Sequence, residues 1–115
     1  MIGAFVGDAA GAPLEFRTVT EASLYEALKF EGGGKMRVAP GQVTDDSEMA
    51  MCILHSLTEA DANTLDVYLL EKYYALWRDS DPFDMGITTR KALRNMNARS
   101  PEPSKIIAGV RAINY

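Results

Sequence analysis

Residues 40–49 read Pro-Gly-Gln-Val-Thr-Asp-Asp-Ser-Glu-Met and connect a turn to an apolar helical pattern. The proline and the glycine favour a turn. The apolar residues that follow recur at helical spacing, and they are Met49, Cys52, Ile53 and Leu57. The pattern therefore predicts a helix that begins close to Thr44. Unpaired N–H groups and the helix dipole at that end favour the negative charge of Asp45 and Asp46.

The polar residues at this helix start have two interpretations. In the first, Thr44 or Asp45 is the N-cap, and Glu48 is the reciprocal member of a capping box with Asp45. In the second, the hydroxyl of Thr44 and the carboxylates of Asp45 and Asp46 form a compact set of hard oxygen donors that suits Mg²⁺, Mn²⁺ or Ca²⁺. A cap needs only one acceptor and leaves one carboxylate unexplained. The residues alone still favour the cap, and the metal site stays open.

Length and composition indicate one acidic globular chain. Its 115 residues allow a single domain, and 47% hydrophobic with 24% charged residues is ordinary for a soluble protein. The net charge of −4, with scattered Lys and Arg, argues against a nucleic-acid partner. The single cysteine, Cys52, excludes an internal disulfide and is interpreted as a core residue. No stretch resembles a signal peptide or a membrane span, so we expect a cytoplasmic location and no membrane partner.

The first helix that the apolar spacing predicts lies over residues 2–12. Three glycines recur in it at spacing four, namely Gly3, Gly7 and Gly11. Because each glycine lowers helix propensity by about 0.8 to 1 kcal/mol, we expect close contact there with another backbone or a ligand. The apolar pattern is still running at Ile2 and at Tyr115, so we expect residues 1–115 to form one incomplete domain.

Two further helices are predicted on either side of the helix that follows Thr44. Thr18 and Glu21 form a capping box for a surface helix over residues 20–29. Residues 65–77 are apolar on most sides of a helix, which predicts that this helix is buried.

The last third of the chain predicts two more helices after loops. Asp84 and Thr88 are candidate caps for the first of them, and Ser104 is the candidate cap for the second. No stretch alternates at period two for long. The predicted fold class is therefore all-α.

Three segments together resemble the ADP-ribosylglycohydrolase family, and most closely its dinitrogenase reductase-activating glycohydrolase branch. They are Val-Gly-Asp-Ala-Ala-Gly-Ala-Pro-Leu-Glu-Phe at 6–16, the stretch at 40–49, and Asp-Met-Gly-Ile-Thr-Thr-Arg at 84–90. The resemblance implies an all-α fold and two divalent cations, Mg²⁺ or Mn²⁺. It also implies hydrolysis of the N-glycosidic bond between ADP-ribose and a protein side chain, arginine being the usual one. The expected partner is an ADP-ribosylated protein or ADP-ribose.

The family's functional residues are carried over only where the motifs match. The resemblance implies that Thr44, Asp45 and Asp46 bind metal. It implies that Glu15, by itself an ordinary loop glutamate, and Asp84 are catalytic, as acid, base or electrostatic partner. The substrate-binding set that it implies consists of Asp84, Gly86 and Thr88.

This sequence departs from the family pattern in two respects. The family's further Asp-x-Asp-Thr cluster, which completes its metal site, is absent from these 115 residues. Ile87 stands where the branch has a polar asparagine. An alternative therefore accompanies the hydrolase interpretation: a non-catalytic structural or ADP-ribose-binding relative, of the kind that the family's lens crystallins represent.

Overall fold

A computed structural model describes residues 1–60 and 64–102, and within them the chain is helical. The helices are α1 (Ile2–Gly11), α2 (Glu21–Ala27), α3 (Asp45–Glu59), α4 (Val67–Asp79) and α5 (Ile87–Leu93), with a 3₁₀ turn at Ala12–Leu14 between the first two. The described residues contain no strand, and the nearest approach to one is the isolated bridge between Gly33 and Val38. The all-α prediction is confirmed. None of these helices is long and apolar enough to cross a membrane.

The chain divides into two compact units, Met1–Ser47 and Glu48–Tyr115. In the first unit, the 3₁₀ turn contacts both α1 and α2. Gly34 lies directly against this turn with φ of +73°, and a Cβ atom there would come within 2.2 Å of the carbonyl oxygen of Pro13. Only glycine fits such an approach with that backbone conformation.

The glycines of α1 do not have the role that their spacing predicts. A Cβ atom built at Gly3, Gly7 or Gly11 meets no atom within 4 Å in the described structure. The expectation of close contact with another backbone is therefore wrong for the described residues, and the expectation of contact with a ligand stays a prediction. The inward position of α1 is Ala9, which is buried.

In the second unit, a small apolar core joins three helices. It consists of Cys52, Ala75, Trp77, Leu93 and Met96. The prediction that Cys52 is a core residue is confirmed. Burial raises the pKa of its thiol, and the nearby carboxylate of Glu48 adds to the shift, so the thiol is poorly suited to act as a nucleophile.

The prediction of a buried helix at 65–77 is wrong in its bounds and in its burial. Leu65 precedes α4, and large apolar side chains of α4 such as Tyr68 and Leu76 are about half exposed. The inward face instead carries Glu71 with Ala75 and Trp77. The apolar spacing alone does not reveal which face of a helix turns inward, and here Val67, Tyr68 and Leu76 lie on the outer face.

Two of the predicted caps are replaced by others. At α2, the N-cap is Thr20 instead of Thr18, and its hydroxyl accepts the N–H of Ser23 while the Ser23 hydroxyl accepts the N–H of Thr20. A later threonine with a serine three residues on thus makes the capping box.

At α5, the N-cap is Gly86, and no side chain caps it, so neither Asp84 nor Thr88 is the N-cap. The reason is positional, because Thr88 already lies inside the first turn. The helix predicted after Ser104 lies outside the described residues.

Candidate active site

An open cleft of about 470 Å³ lies beside the start of α3, within the first unit. Four carboxylate residues line it, and they are Asp8, Glu15, Asp45 and Asp46. Aliphatic side chains line it as well, namely Leu14, Val19 and Leu24. No lysine, arginine or histidine is among its lining residues in the described part of the chain. The cleft therefore combines concentrated negative charge with apolar surface.

Asp8 of α1 binds the start of α3 through four hydrogen bonds. Its Oδ2 accepts the backbone N–H of Thr44 at 2.9 Å and that of Ser47 at 3.3 Å. The same oxygen accepts the Ser47 hydroxyl at 2.5 Å, while Oδ1 accepts the Thr44 hydroxyl at 2.7 Å. A carboxylate from another helix thus satisfies N–H groups at the α3 start that a local cap would otherwise take.

The two hydroxyl residues that bind Asp8 are shielded from water, and the cluster is negatively charged. Thr44 and Ser47 are only 6% and 3% exposed. Burial tends to raise the pKa of Asp8, but the hydrogen bonds from Ser47 and Thr44 outweigh it and hold that pKa below its ordinary value. Asp8 is therefore ionised at neutral pH and adds its charge to the cleft.

The predicted triplet at 44–46 lies on the cleft as a unit. α3 begins at Asp45, directly after Thr44. Asp45 is half-buried and Asp46 is exposed, and both line the cleft with Thr44. The hydroxyl of Thr44 donates its proton to Asp8, which leaves its oxygen lone pairs as acceptors.

Glu15 lies on the same cleft at the end of the 3₁₀ turn. Its backbone N–H donates to the carbonyl of Ala12 at 3.3 Å. The next residue, Phe16, has φ of +58° and is 69% exposed. A large side chain in the left-handed region costs about 1 to 2 kcal/mol, and such residues concentrate at functional sites. The backbone turns sharply just where Glu15 meets the cleft.

The remaining predicted site residues belong to the second unit. Asp84 is half-buried three residues before the first residue of α5, Gly86 is the N-cap of that helix, and Thr88 is exposed in its first turn. The structure thus brings Glu15 together with Thr44, Asp45 and Asp46 on one cleft. It describes the substrate-binding set separately, within the second unit.

Glu48, the expected capping-box member, has a partner that the sequence did not suggest. Its Oε2 accepts the indole N–H of Trp77 at 2.6 Å within the second unit. This hydrogen bond satisfies the polar group of a buried tryptophan. Glu48 therefore helps to fix the core instead of facing the cleft, whose lining does not include it.

The donor chemistry of the cleft suits a hard divalent cation, although the chain supplies only part of a coordination shell. Carboxylate and hydroxyl oxygens are the ligands that Mg²⁺ and Mn²⁺ prefer, and the cleft offers both. Among the described residues, however, no three carboxylate, histidine or cysteine groups already converge on one point. The residues at 44–46 fit a cation that keeps several coordination positions for water or for other donors.

Asp8 is the functional residue that sequence reasoning missed. It is the only charged side chain in residues 1–14, and a carboxylate in an uncharged helical stretch requires hydrogen-bond partners when it is partly buried. The isolated position of Asp8 in the sequence therefore indicated that it has hydrogen-bond partners elsewhere in the chain. Its partners were not visible because they lie 36 and 39 residues away along the chain.

Comparison with known proteins places this helical chain in a family. The family model of ADP-ribosylglycohydrolase matches residues 1–112. The chain belongs to the ADP-ribosylglycohydrolase family. The resemblance seen in the three sequence segments is confirmed.

Several curated relatives share the matched region. The chain is 43% identical over 95 residues to the ADP-ribosyl-[dinitrogen reductase] glycohydrolase of Rhodospirillum rubrum, covering 81% of this chain and 32% of that protein. It is 35% identical over 99 residues to the protein L543 of Acanthamoeba polyphaga mimivirus, covering 81% and 29%. It is 34% identical over 100 residues to the ADP-ribosylarginine hydrolase Tri1 of Serratia proteamaculans (strain 568), covering 81% and 26%. The chain spans about a third or less of the length of these relatives.

Proposed function

We propose that this chain forms part of an enzyme that hydrolyses the N-glycosidic bond between ADP-ribose and arginine side chains of proteins. The observation that carries the proposal is the cleft itself, where Glu15 and the triplet at 44–46 meet on one surface. Two of the relatives carry names that describe hydrolysis of ADP-ribosylated protein or ADP-ribosylarginine. Family membership and an acidic cleft built from the matching motifs support the same activity.

The proposed cofactors are two divalent cations, Mg²⁺ or Mn²⁺, with Thr44, Asp45 and Asp46 as the residues of this chain that would hold them. Such cations, when bound, supply Lewis-acid polarisation of substrate oxygens. The four carboxylates of the cleft, with no basic lining residue, provide the charge that retains them. Because the chain offers few direct ligands, we expect affinity weaker than micromolar for this chain alone.

Glu15 and Asp84 have the proposed proton-transfer roles. Cleavage of a glycosidic bond passes through an oxocarbenium-like centre, which a nearby carboxylate stabilises, and a carboxyl group can also deliver or accept the proton. Glu15 lies on the cleft with the metal-binding triplet, so it suits the group that handles the attacking water. Asp84, with Gly86 and Thr88, is proposed to contact the arginine side of the substrate.

A chimera tests the activity. The matching segment of the Rhodospirillum rubrum relative is replaced by this chain, and release of ADP-ribose from an ADP-ribosylated arginine peptide is measured with Mn²⁺. We expect hydrolysis that chelation abolishes. Asp46→Asn should reduce it at least about a hundredfold, the size of loss that follows when one group that stabilises the transition state electrostatically is removed, with unchanged helical content by circular dichroism.

Asp66→Asn is the matched control. Asp66 is a carboxylate at the start of α4, where it accepts the N–H groups of Tyr68 and Leu69, and asparagine is an equally good cap. We expect this variant to retain activity. Full activity of the Asp46→Asn chimera would contradict the hydrolase assignment of the triplet.

The alternative is a non-catalytic ADP-ribose-binding relative. One observation favours it: the described residues contain no group of three carboxylate, histidine or cysteine side chains already arranged for a metal ion. This alternative predicts a folded chimera that binds ADP-ribose and hydrolyses nothing with either cation. The same assay therefore separates the two candidates.

A further inference from the structure

We propose that Asp8 is a positioning residue that fixes the direction of the Thr44 hydroxyl proton, so that Thr44 Oγ1 presents its lone pairs to the cleft. This inference rests on the proposed cation-binding function of the cleft. The family resemblance implies no role for Asp8, and the inference follows from the hydrogen bonds at the α3 start.

The two oxygens of Asp8 have different tasks. Oδ2 accepts three donors, which are the N–H groups of Thr44 and Ser47 and the Ser47 hydroxyl. Oδ1 accepts the Thr44 hydroxyl at 2.7 Å. The first oxygen fixes the backbone of the first turn, whereas the second fixes a single rotatable proton.

In the hydrogen bond between Thr44 and Asp8 Oδ1, the chemistry of the two groups determines which one is the donor. An ionised carboxylate accepts hydrogen bonds and cannot donate them, whereas a hydroxyl has one proton and two lone pairs. Beside Asp8, the Thr44 hydroxyl must therefore be the donor. Its single proton then points to Asp8, and its lone pairs remain available as hard ligands.

A simple helix cap does not need this arrangement. Capping requires an acceptor for backbone N–H groups, which Oδ2 alone supplies. The Oδ1 bond adds nothing to the backbone, yet it is among the shorter bonds of the cluster and involves a threonine that is 6% exposed. Its consequence is the orientation of a side chain that lines the cleft.

Asp8→Asn separates the two tasks. The amide oxygen suits the position of Oδ2, where three donors converge, so the amide nitrogen takes the position of Oδ1. An amide nitrogen donates, and the bond to Thr44 is therefore reversed. The scaffold bonds stay while one Thr44 lone pair is consumed and its proton is turned elsewhere.

Because Asp8→Asn also removes a charge near the cleft, a double-mutant cycle with Thr44→Val isolates the effect of the hydroxyl. Binding of Mn²⁺ to the 115-residue chain is measured by electron paramagnetic resonance of the free ion at millimolar concentrations. We expect each single variant to weaken binding about tenfold, the usual effect of a residue that orients a metal ligand. The double variant should be no weaker than Thr44→Val apart from a small charge contribution.

Ser47→Ala is the matched control, since it removes a hydroxyl donor to Oδ2 and leaves the Thr44 bond in place. It should lower stability and leave Mn²⁺ affinity within about twofold, because it orients no cleft ligand. Additive effects of Asp8→Asn and Thr44→Val would overturn the inference. So would an equal loss of affinity in Ser47→Ala.

A metal-free measurement tests the same point independently. By nuclear magnetic resonance at neutral pH, the Thr44 hydroxyl proton should be observable and slow to exchange in the native chain and lost in Asp8→Asn. Rapid exchange in the native chain would overturn the inference whether or not a cation binds. If the native chain binds no Mn²⁺ at all, the proposed cation role of the cleft fails, and this exchange measurement still decides the orientation of the Thr44 proton.

Discussion

Two carboxylates of this molecule differ sharply in how their charge is accommodated. Asp8, in the first unit, is half-buried and accepts four hydrogen bonds through both oxygens. Glu71, in the second unit, is 0% exposed, and among residues 1–60 and 64–102 the N–H of Asn97 is the one donor to its Oε1, at 3.2 Å. Its Oε2 is buried with no hydrogen-bond partner in the described structure.

The comparison indicates that burial of a carboxylate is informative only together with its partners. A carboxylate with four donors stabilises the structure around it, whereas a buried oxygen without a partner costs free energy of folding. Asp8 is therefore expected to hold its surroundings in place. Glu71 is expected to lower the free energy of unfolding, because one of its buried oxygens has no hydrogen-bond partner in the described structure.

Asp8→Ala should have the largest effect on stability. It leaves two N–H groups and two hydroxyls at the start of α3 without their acceptor, and Thr44 and Ser47 are buried. We expect the free energy of unfolding to fall by about 3 kcal/mol, the range for removing a charged acceptor from several donors. Urea unfolding followed by circular dichroism measures it. A loss below about 0.5 kcal/mol, which is ordinary for a surface substitution, would contradict the view that Asp8 stabilises its surroundings more than Glu71 does.

Glu71→Gln should have a smaller effect on stability. Glutamine keeps an acceptor for the N–H of Asn97, but its NH₂ group replaces the oxygen that has no hydrogen-bond partner in the described structure, so we expect the free energy of unfolding to change by less than about 1 kcal/mol. Thermal unfolding measures the change. Glu26→Gln is the control, because Glu26 is exposed and forms a surface ion pair with Lys29. Destabilisation of Glu71→Gln as large as that of Asp8→Ala would show that Glu71 is satisfied in solution.

The sequence predicted local features well and long-range polar contacts poorly. The turn and apolar spacing located α3 to within a residue of Thr44, because capping and periodicity act over a few neighbours. The prediction of a capping box between Thr18 and Glu21 was wrong because Thr20 and Ser23, which lie close by in the sequence, form an equivalent capping box. The prediction that α4 is buried was wrong because its apolar residues are spread around the helix and do not specify which face turns inward.

In the candidate site, too, the sequence predicted the residues of local motifs and did not predict long-range contacts. The motifs indicated Glu15 and the triplet at 44–46, and the structure places them on one cleft. Asp8 escaped notice because its role depends on Thr44 and Ser47, which are distant along the chain. The placement of Asp84 in the second unit likewise depends on tertiary structure that local patterns do not encode.

The proposed function requires that the cleft at the start of α3 binds a divalent cation. Mn²⁺ titration of the ¹⁵N-labelled chain, followed by line broadening of each amide, tests it most directly. We expect broadening centred on Glu15, Asp45 and Asp46, reversed by excess Mg²⁺ and greatly reduced in Asp46→Asn. Broadening spread evenly over the acidic surface, or centred in the second unit, would contradict it.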